Sequence, residues 1–423
     1  MEPWVESSLG RAEPIAAAGL CDHCLGRMFA KLGERLSDER RGEMLRDGLS
    51  EGGKTFAPES PCPLCGDIFD MVGRFAETVA EKVDETESDN FLVGCKVDPE
   101  IAELERSMWR EFGTEGTAEP LKAELNREIG KLAAPIICRP VEFKEPQVVA
   151  CVDTRFADVT LDISPIFIAG RYNKLSREIP QTKWPCRVCK GKGCPRCHGT
   201  GKMYQTSVQE IIGDPALKMA GGREHFFHGM GREDIDALML GEGRPFVLEI
   251  SQPMIRDIDL DGLKNEANNT ILAQYHSLHF VSRSAVASYK GSDPGKTYRA
   301  RVVAEKPFDR EKVIDVAESF KDASLDQRTP HRVEHRRADL IRNRTIYWVR
   351  AENFGEDSFD LIMKTQSGTY VKEFVSGDGG RTRPNFSERL GIPCKVDLLD
   401  VQDVDFNGDR DYLLKDCRPG SNA

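Results

Sequence analysis

Four Cys-x-x-Cys pairs and one acidic loop are the stretches of this chain whose residue types and spacing can do chemistry. Cys21 and Cys24 lie in LCDHCLGRMF, Cys62 and Cys65 in PCPLCG, and Cys186, Cys189, Cys194 and Cys197 in CRVCKGKGCPRC. Each C-x-x-C turn brings two thiolates to one ion, and two turns complete a tetrahedral shell. Such a shell leaves no open position, so the expected metal is a structural zinc in each of two sites. His23 stands inside the first knuckle but is surplus to four thiolates. Four residues separate the third pair from the fourth, with Gly191 and Gly193 permitting the tight reversal.

The loop is GREDIDALMLGEGRPFVLEIS, from Gly231 to Ser251. Arg232, Glu233 and Asp234 follow a glycine; a turn at Gly241 and Gly243 and an apolar strand from Phe246 to Ile250 come next. Turn chemistry ahead of a buried strand can hold one side chain at a pocket mouth, and Asp234 is that side chain here. Taken alone, Arg232 and Asp234 read as a surface ion pair at a loop.

With 423 residues the chain has room for two or three domains, and it carries a net charge of −11. No run of 18 apolar residues and no leader at MEPWVESSLG is present, so a cytoplasmic location is expected. Eight of the 13 cysteines fall in the four pairs, which in such a chain points to metal under reducing conditions rather than to disulfides. Net acidity argues against indiscriminate binding to phosphate, yet the basic residues cluster. Arg171 to Lys202 holds nine Lys or Arg and one acid, and Arg328 to Arg350 holds seven Arg and two acids. Two local basic faces for RNA follow, against the plainer reading of solvated helix or strand surfaces. The third and fourth cysteine pairs sit inside the first tract, either contacting RNA or stapling a basic loop.

Periodicity supplies the elements that must position these groups. Phe91, Val93, Cys95 and Val97 alternate as a strand; Ile101, Leu104, Met108 and Phe112 keep helical spacing, as do Leu121, Leu125 and Ile129. The stretch between the first two cysteine pairs reads as helical. Ser207 and Glu210 form a capping box, and Asp309 caps a further helix. Residues 262–281 read as a helix, and KTYRARVVAEKPF as a strand with Tyr298 opposite in face to Arg299. The expected organisation is α+β: a zinc-binding region at 1–66, a second domain at 67–146, and a third at 147–423 with a knuckle insert at 184–203.

Several of these segments together resemble the Pus-ten family of tRNA pseudouridine synthases. The resemblance lies in GREDIDA, in SPIFIAGRYNKLSREIPQT, in LDQRTPHRVEHRRADLIRNR, in SGTYVKEFVSGDGGRTRPNFSERLG and in the cysteine pairs. The family often carries an arginine where Leu238 stands. The resemblance implies a THUMP-like RNA-binding domain at 67–146, followed by a synthase fold with a mixed, largely antiparallel sheet. It implies Asp234 as the catalytic aspartate with Arg232 as its companion, Lys372 as the paired base, Tyr298 as the active-site tyrosine and Leu399 as the apolar pocket residue. Arg171, Tyr172, Lys174 and Arg177, with Arg328, Arg332, Arg336 and Arg337, become the RNA-contacting candidates. A buried Asp234 would need Lys372 or Arg232 beside it to stay charged. The implied reaction is isomerisation of uridine at tRNA positions 54 and 55 of the T arm, by a nucleophilic or a glycal route. It would use no organic cofactor, and a monomer would engage the T arm and, through the THUMP-like domain, the acceptor end. Two other readings stay open: a zinc-dependent RNA-binding adaptor with a decayed site, and a THUMP-linked methyltransferase or sulfurtransferase.

Overall fold

A computed structural model describes residues 1–406, the side chain of Arg336 excepted. The chain divides into two compact units, the first Met1–Ser164 and the second beginning at Pro165.

The first unit contains a three-stranded sheet of β1 (Phe91–Lys96), β2 (Val148–Asp153) and β3 (Asp158–Ile163), with β1 parallel to β2 and β2 antiparallel to β3. The expected alternation holds, with Phe91, Val93 and Cys95 buried. Two amphipathic helices pack on this sheet. Val72–Asp84 buries Val72, Phe75, Ala76, Val79, Ala80 and Val83, while Leu121–Ile137 buries Leu121, Leu125, Ile129, Ala133 and Ile137. The helix Pro99–Phe112 departs from the expected apolar stripe: Leu104 is exposed and the residue it buries is Glu105. Glu105 accepts from the wholly buried Arg27 at 3.0 Å, so an ion pair sets this helix's inner face. The stretch between the first cysteine pairs is two helices, Asp22–Arg27 and Asp38–Glu51, rather than one. Gly33 and Arg35, both at positive φ, turn the chain, and Ser37 caps the second helix by accepting from the Arg40 amide. β2 and β3 were expected to open the third domain at 147; they complete the first unit's sheet instead, because β2 pairs along its length with β1.

The second unit is built on a ten-stranded sheet. Its strands are β4 (Ile166–Lys174), β5 (Glu224–Gly229), β6 (Met239–Ser251), β7 (Ala273–Val281), β8 (Lys296–Ala304), β9 (Ala323–Arg328), β10 (Ile341–Glu352), β11 (Ser358–Thr365), β12 (Thr382–Arg383) and β13 (Cys394–Val404). The order is β12-β9-β10-β11-β8-β13-β6-β4-β7, with β5 added on β6. Every pairing is antiparallel except that of β13 with β6, which meet in parallel at Val401 and Met239. That seam divides the sheet into two halves with separate cores. Phe246, Leu248, Tyr275 and Val401 belong to one core, and Val302, Phe320, Phe359 and Phe374 to the other.

Ser207 and Asp309 cap the helices Val208–Ala220 and Arg310–Glu318 as expected, each side chain accepting from a backbone amide of the first turn. Residues 262–281 do not form one helix. A helix at Leu260–Ala267 gives way to β7, because Asn268 bonds the backbone of Tyr275 on both sides, through its Oδ1 and its Nδ2. Among the described residues, no helix is long and apolar enough to cross a membrane.

The turn expected at Gly241 and Gly243 is absorbed into one long strand, β6, at two positive-φ positions. A Cβ on Gly241 would lie 2.0 Å from the Gln402 carbonyl of β13 and would sit at φ +57°. Gly241→Ala should therefore lower stability by about 2 kcal/mol or more, read as a shifted midpoint in urea. Gly130→Ala, in a helix with open space around it, should raise it by about 0.5–1 kcal/mol; equal shifts would refute the seam's close packing.

Candidate active site and cysteine clusters

Asp234 lies on the loop 230–238 between β5 and β6, and neighbouring carbonyls of that loop are held from below. Arg244 Nη1 donates to the Met230 carbonyl at 2.8 Å and Gln181 Nε2 to that of Gly231 at 3.0 Å. Lys174 Nζ donates to the Ile235 carbonyl and Arg177 Nη1 to that of Asp236, both at 2.6 Å. Beneath them Glu233 is buried, its carboxylate accepting from Arg244 Nε at 2.9 Å and from the Tyr172 hydroxyl at 2.9 and 3.0 Å. Gln181 donates in turn to that hydroxyl at 2.7 Å. The far end of the loop is fastened to β13, where Asp400 accepts from the Leu238 amide and from Arg177.

This network corrects part of the expected RNA face. Tyr172 and Lys174 are fully buried and bonded within the protein, so neither has surface to offer RNA. Burial pushes the Lys174 ammonium down to about 8 and the Tyr172 phenol well above its ordinary range. Arg171 donates to the carbonyls of Gly243 and Phe406, and Arg177 serves the loop. In the second tract, Arg328 pairs with Asp339 and Arg337 donates to the Tyr370 hydroxyl, both from exposed positions. The side chain of Arg336 lies outside the described residues.

Asp234 points the other way from Glu233. Its side chain is 45% exposed, not buried as expected, and two cations face it: Arg332 Nη1 at 3.5 Å and Lys372 Nζ at 3.8 Å from Oδ2. Lys372 stands nearer to Asp236, at 3.3 Å. Arg232, expected as the companion of Asp234, lies over the Trp184 ring at 5.1 Å. Tyr298 packs against both cores at the seam, and burial pushes its phenol upward, with Glu233 and Asp234 among the charges it feels. Leu399 is on β13 opposite Ala300 and half-buried against the second core. The structure thus brings Lys372 to Asp234 and places Tyr298 near enough to feel the charge of Asp234. It adds Arg332, which charge pattern assigned to RNA, and Glu233, which the sequence placed in the loop without a role.

The thiolates of each cluster all lie within 4.8 Å of one another, so each set of four could hold a metal ion. Cys21 and Cys65 are 3.6 Å apart, and separations of 3.7 to 3.9 Å recur in the second cluster. A tetrahedron with metal–sulfur bonds of about 2.3 Å has edges near 3.8 Å, so both sets fit a closed four-thiolate shell. In the first, Arg27 donates to Cys24 Sγ at 3.2 Å, while His23 turns to Glu124 and stacks on Phe69. In the second, Gly191 and Gly193 take the positive φ that the reversal needs. Trp184, at the knuckle's base, meets Tyr204 edge-on at 5.6 Å.

Two families match stretches of this chain. The one described as Pus10, C-terminal covers residues 167–405, and that described as Pus10 THUMP domain, archaeal, covers 75–153. A protein of Methanothermobacter marburgensis named tRNA pseudouridine synthase Pus10 is 42% identical over 407 residues, 95% of this chain and 98% of that one. Its namesake in Methanopyrus kandleri is 37% identical over 422 residues, 96% of each. A solved Cbf5-Nop10-Gar1 complex aligns with 47% of this chain and 45% of its own at 15% identity, with a TM-score of 0.30. A THUMP domain followed by a synthase domain defines an isomerase of the pseudouridine synthase class. The chain belongs to the Pus10 family.

Removing one partner of a buried ion pair strands the other, so Glu233→Ala should cost about 3–5 kcal/mol in urea denaturation. Combining Glu233→Leu with Arg244→Met should recover most of it; a loss under about 1 kcal/mol from the single change would discount the pair. Elemental analysis should find two metal equivalents in the purified protein and one in Cys189→Ser. An unchanged ratio would remove Cys189 from any metal site.

Proposed function

We propose that this protein isomerises uridine to pseudouridine at positions 54 and 55 of the tRNA T arm, with the carboxylate of Asp234 as the reacting group. The observation that carries the reading is the pair of cations facing a carboxylate whose backbone is clamped. The bond from sugar to base nitrogen breaks, the base turns, and a bond from a ring carbon to the same sugar carbon forms. The ring carbon gives up a proton and the nitrogen gains one, so no electron leaves or enters.

A uridine within a structured arm must first leave its stack. Asp234, half-exposed in the free chain, is open to such a nucleotide, and the arriving RNA supplies the exclusion of water that the free site lacks. The carboxylate then acts at the ribose as nucleophile or as base. With burial holding its phenol neutral, Tyr298 suits an uncharged uracil lying against its ring. Leu399 closes the apolar side.

Zinc in the two cysteine sets would serve as a staple, since four thiolates leave no place for substrate. The THUMP-like domain would engage the acceptor end. On the second unit, exposed Lys183, Arg187, Lys190, Lys192 and Arg196 around the knuckle supply positive charge for the RNA backbone. One chain suffices for this chemistry, and a cytoplasmic site of action follows from its substrate.

Asp234→Asn should bind unmodified tRNA transcript within about threefold of the parent, because only a charge at the reacting end is lost, while pseudouridine falls by at least about 10³-fold. The check is position-resolved nucleoside analysis with no cofactor added. Near-normal turnover in the variant would transfer the catalytic role elsewhere.

A further inference from the structure

Two cations face Asp234, but they are not held alike. Lys372 divides its ammonium between Asp234 at 3.8 Å and Asp236 at 3.3 Å, and both carboxylates are largely open to solvent. Arg332 is fixed from behind: its Nε donates to Glu373 Oε1 at 2.7 Å, which leaves Nη1 at 3.5 Å from Asp234. Glu373 is 5% exposed, and its second oxygen is buried without a hydrogen-bond partner. A buried carboxylate with an oxygen to spare is costly to keep unless its charge does something. The group it holds is the guanidinium turned to the reacting carboxylate.

We propose that Arg332 is the cation that orients the Asp234 carboxylate, and that Glu373 is the positioning residue that holds Arg332 there. The inference rests on Asp234 being the reacting group. It departs from the charge pattern of the second tract, which marks Arg332 as an RNA contact. Lys372 and Glu373 are consecutive on the short helix Val371–Ser376. One turn of chain therefore supplies a cation directly and a second one through its neighbour. Around Arg332 the segment 331–339 is tied to the same region. The His331 amide donates to Asp378, Arg381 pairs with Asp339 at 3.1 Å, and Arg337 reaches Tyr370. A guanidinium gripped at one edge has one direction left for its free edge, which makes it a directional restraint that a lysine on a flexible stem is not.

The test is a double-mutant cycle on the full chain with tRNA transcript, under single-turnover conditions with enzyme saturating. Arg332→Gln should slow isomerisation by about 10- to 100-fold with tRNA affinity within about threefold, since misdirection of a reacting group costs rate, not binding. Glu373→Gln should slow it about 10-fold, and Glu373→Asp should restore part of the loss. The double variant should be no slower than Arg332→Gln alone, because both changes remove one restraint. Should Glu373→Gln fail to fold, Glu373→Asp and Arg332→Lys decide the matter through the same split of rate from affinity. An Arg332→Gln enzyme with the parental rate at saturation, weaker binding and a salt slope reduced by about one would overturn the proposal and return Arg332 to the RNA. Failure of the underlying reading looks different: the parent makes no pseudouridine, or Asp234→Asn keeps its rate.

Discussion

The direction in which Asp234 points is decided by its neighbour. Glu233 is pulled inward by Arg244 and Tyr172 into a space that water does not reach, and a charge placed there is tolerated only with its partner in contact. Glu233 is committed to the interior, and Asp234, next to it on the loop, faces out toward Arg332 and Lys372. The carbonyl clamps from Arg244, Gln181, Lys174 and Arg177 then remove the remaining freedom of the loop. These clamps are also what a loop with an inward acid requires, since its backbone acceptors would otherwise lie unpaired above a core.

The position of the loop follows from the seam in the sheet. Elsewhere the strands run antiparallel, and each half-sheet encloses its own core. At β6 and β13 the strands meet in parallel over a short overlap, and the two cores approach each other there. Tyr298 packs on both, and Asp400 of β13 takes the Leu238 amide. A junction of two separately packed bodies is a natural cleft, with room for polar groups that neither core would accept. Asp234 comes from the half-sheet that contains β5 and β6, and Arg332 and Lys372 from the half that contains β9, β10 and β11. The site therefore exists only when the halves are joined.

How much of this could be read from the amino acids differs by residue. The cysteine sets were legible because each C-x-x-C turn is local, although in the first set the fold must still bring together pairs 41 residues apart. Asp234, Lys372 and Tyr298 became candidates through family resemblance alone, which said nothing of their mutual distances. Tyr172 and Lys174 were misassigned because they sit in a basic tract, yet a signal was present. They continue the period-two row of Ile166 and Ile168 on β4 and lie on its buried face. Glu233 left no comparable mark, since an acid in a charged loop reads as solvated unless its partner eleven residues on is known to be buried too. Arg332 meets Asp234 across 98 residues of sequence, and Arg232 finds Trp184 instead of Asp234. Long-range pairing of that kind is set by topology, which charge patterns do not encode. The helix read into 262–281 failed for a local reason, the side chain of Asn268, which bonds the Tyr275 backbone at both its N–H and its carbonyl in place of a helical turn.

The two cysteine sets differ in a way that separates their roles. Four thiolates around a divalent ion carry two surplus negative charges, and each site must offset them. The first has a cation buried against it, Arg27 donating to Cys24, although that guanidinium is shared with Glu105 and Glu124 and so meets only part of the charge. Three of its four thiolates are buried. The second has no buried arginine in that role; Lys183, Arg187, Lys190, Lys192 and Arg196 surround it from solvent. Its positive charge therefore remains at the surface, in a protein whose net charge of −11 repels RNA elsewhere. Because Trp184 at the base of this knuckle carries Arg232 of the Asp234 loop on its face, the patch where RNA would be attracted and the loop where it would react are separated by one stacked pair of side chains.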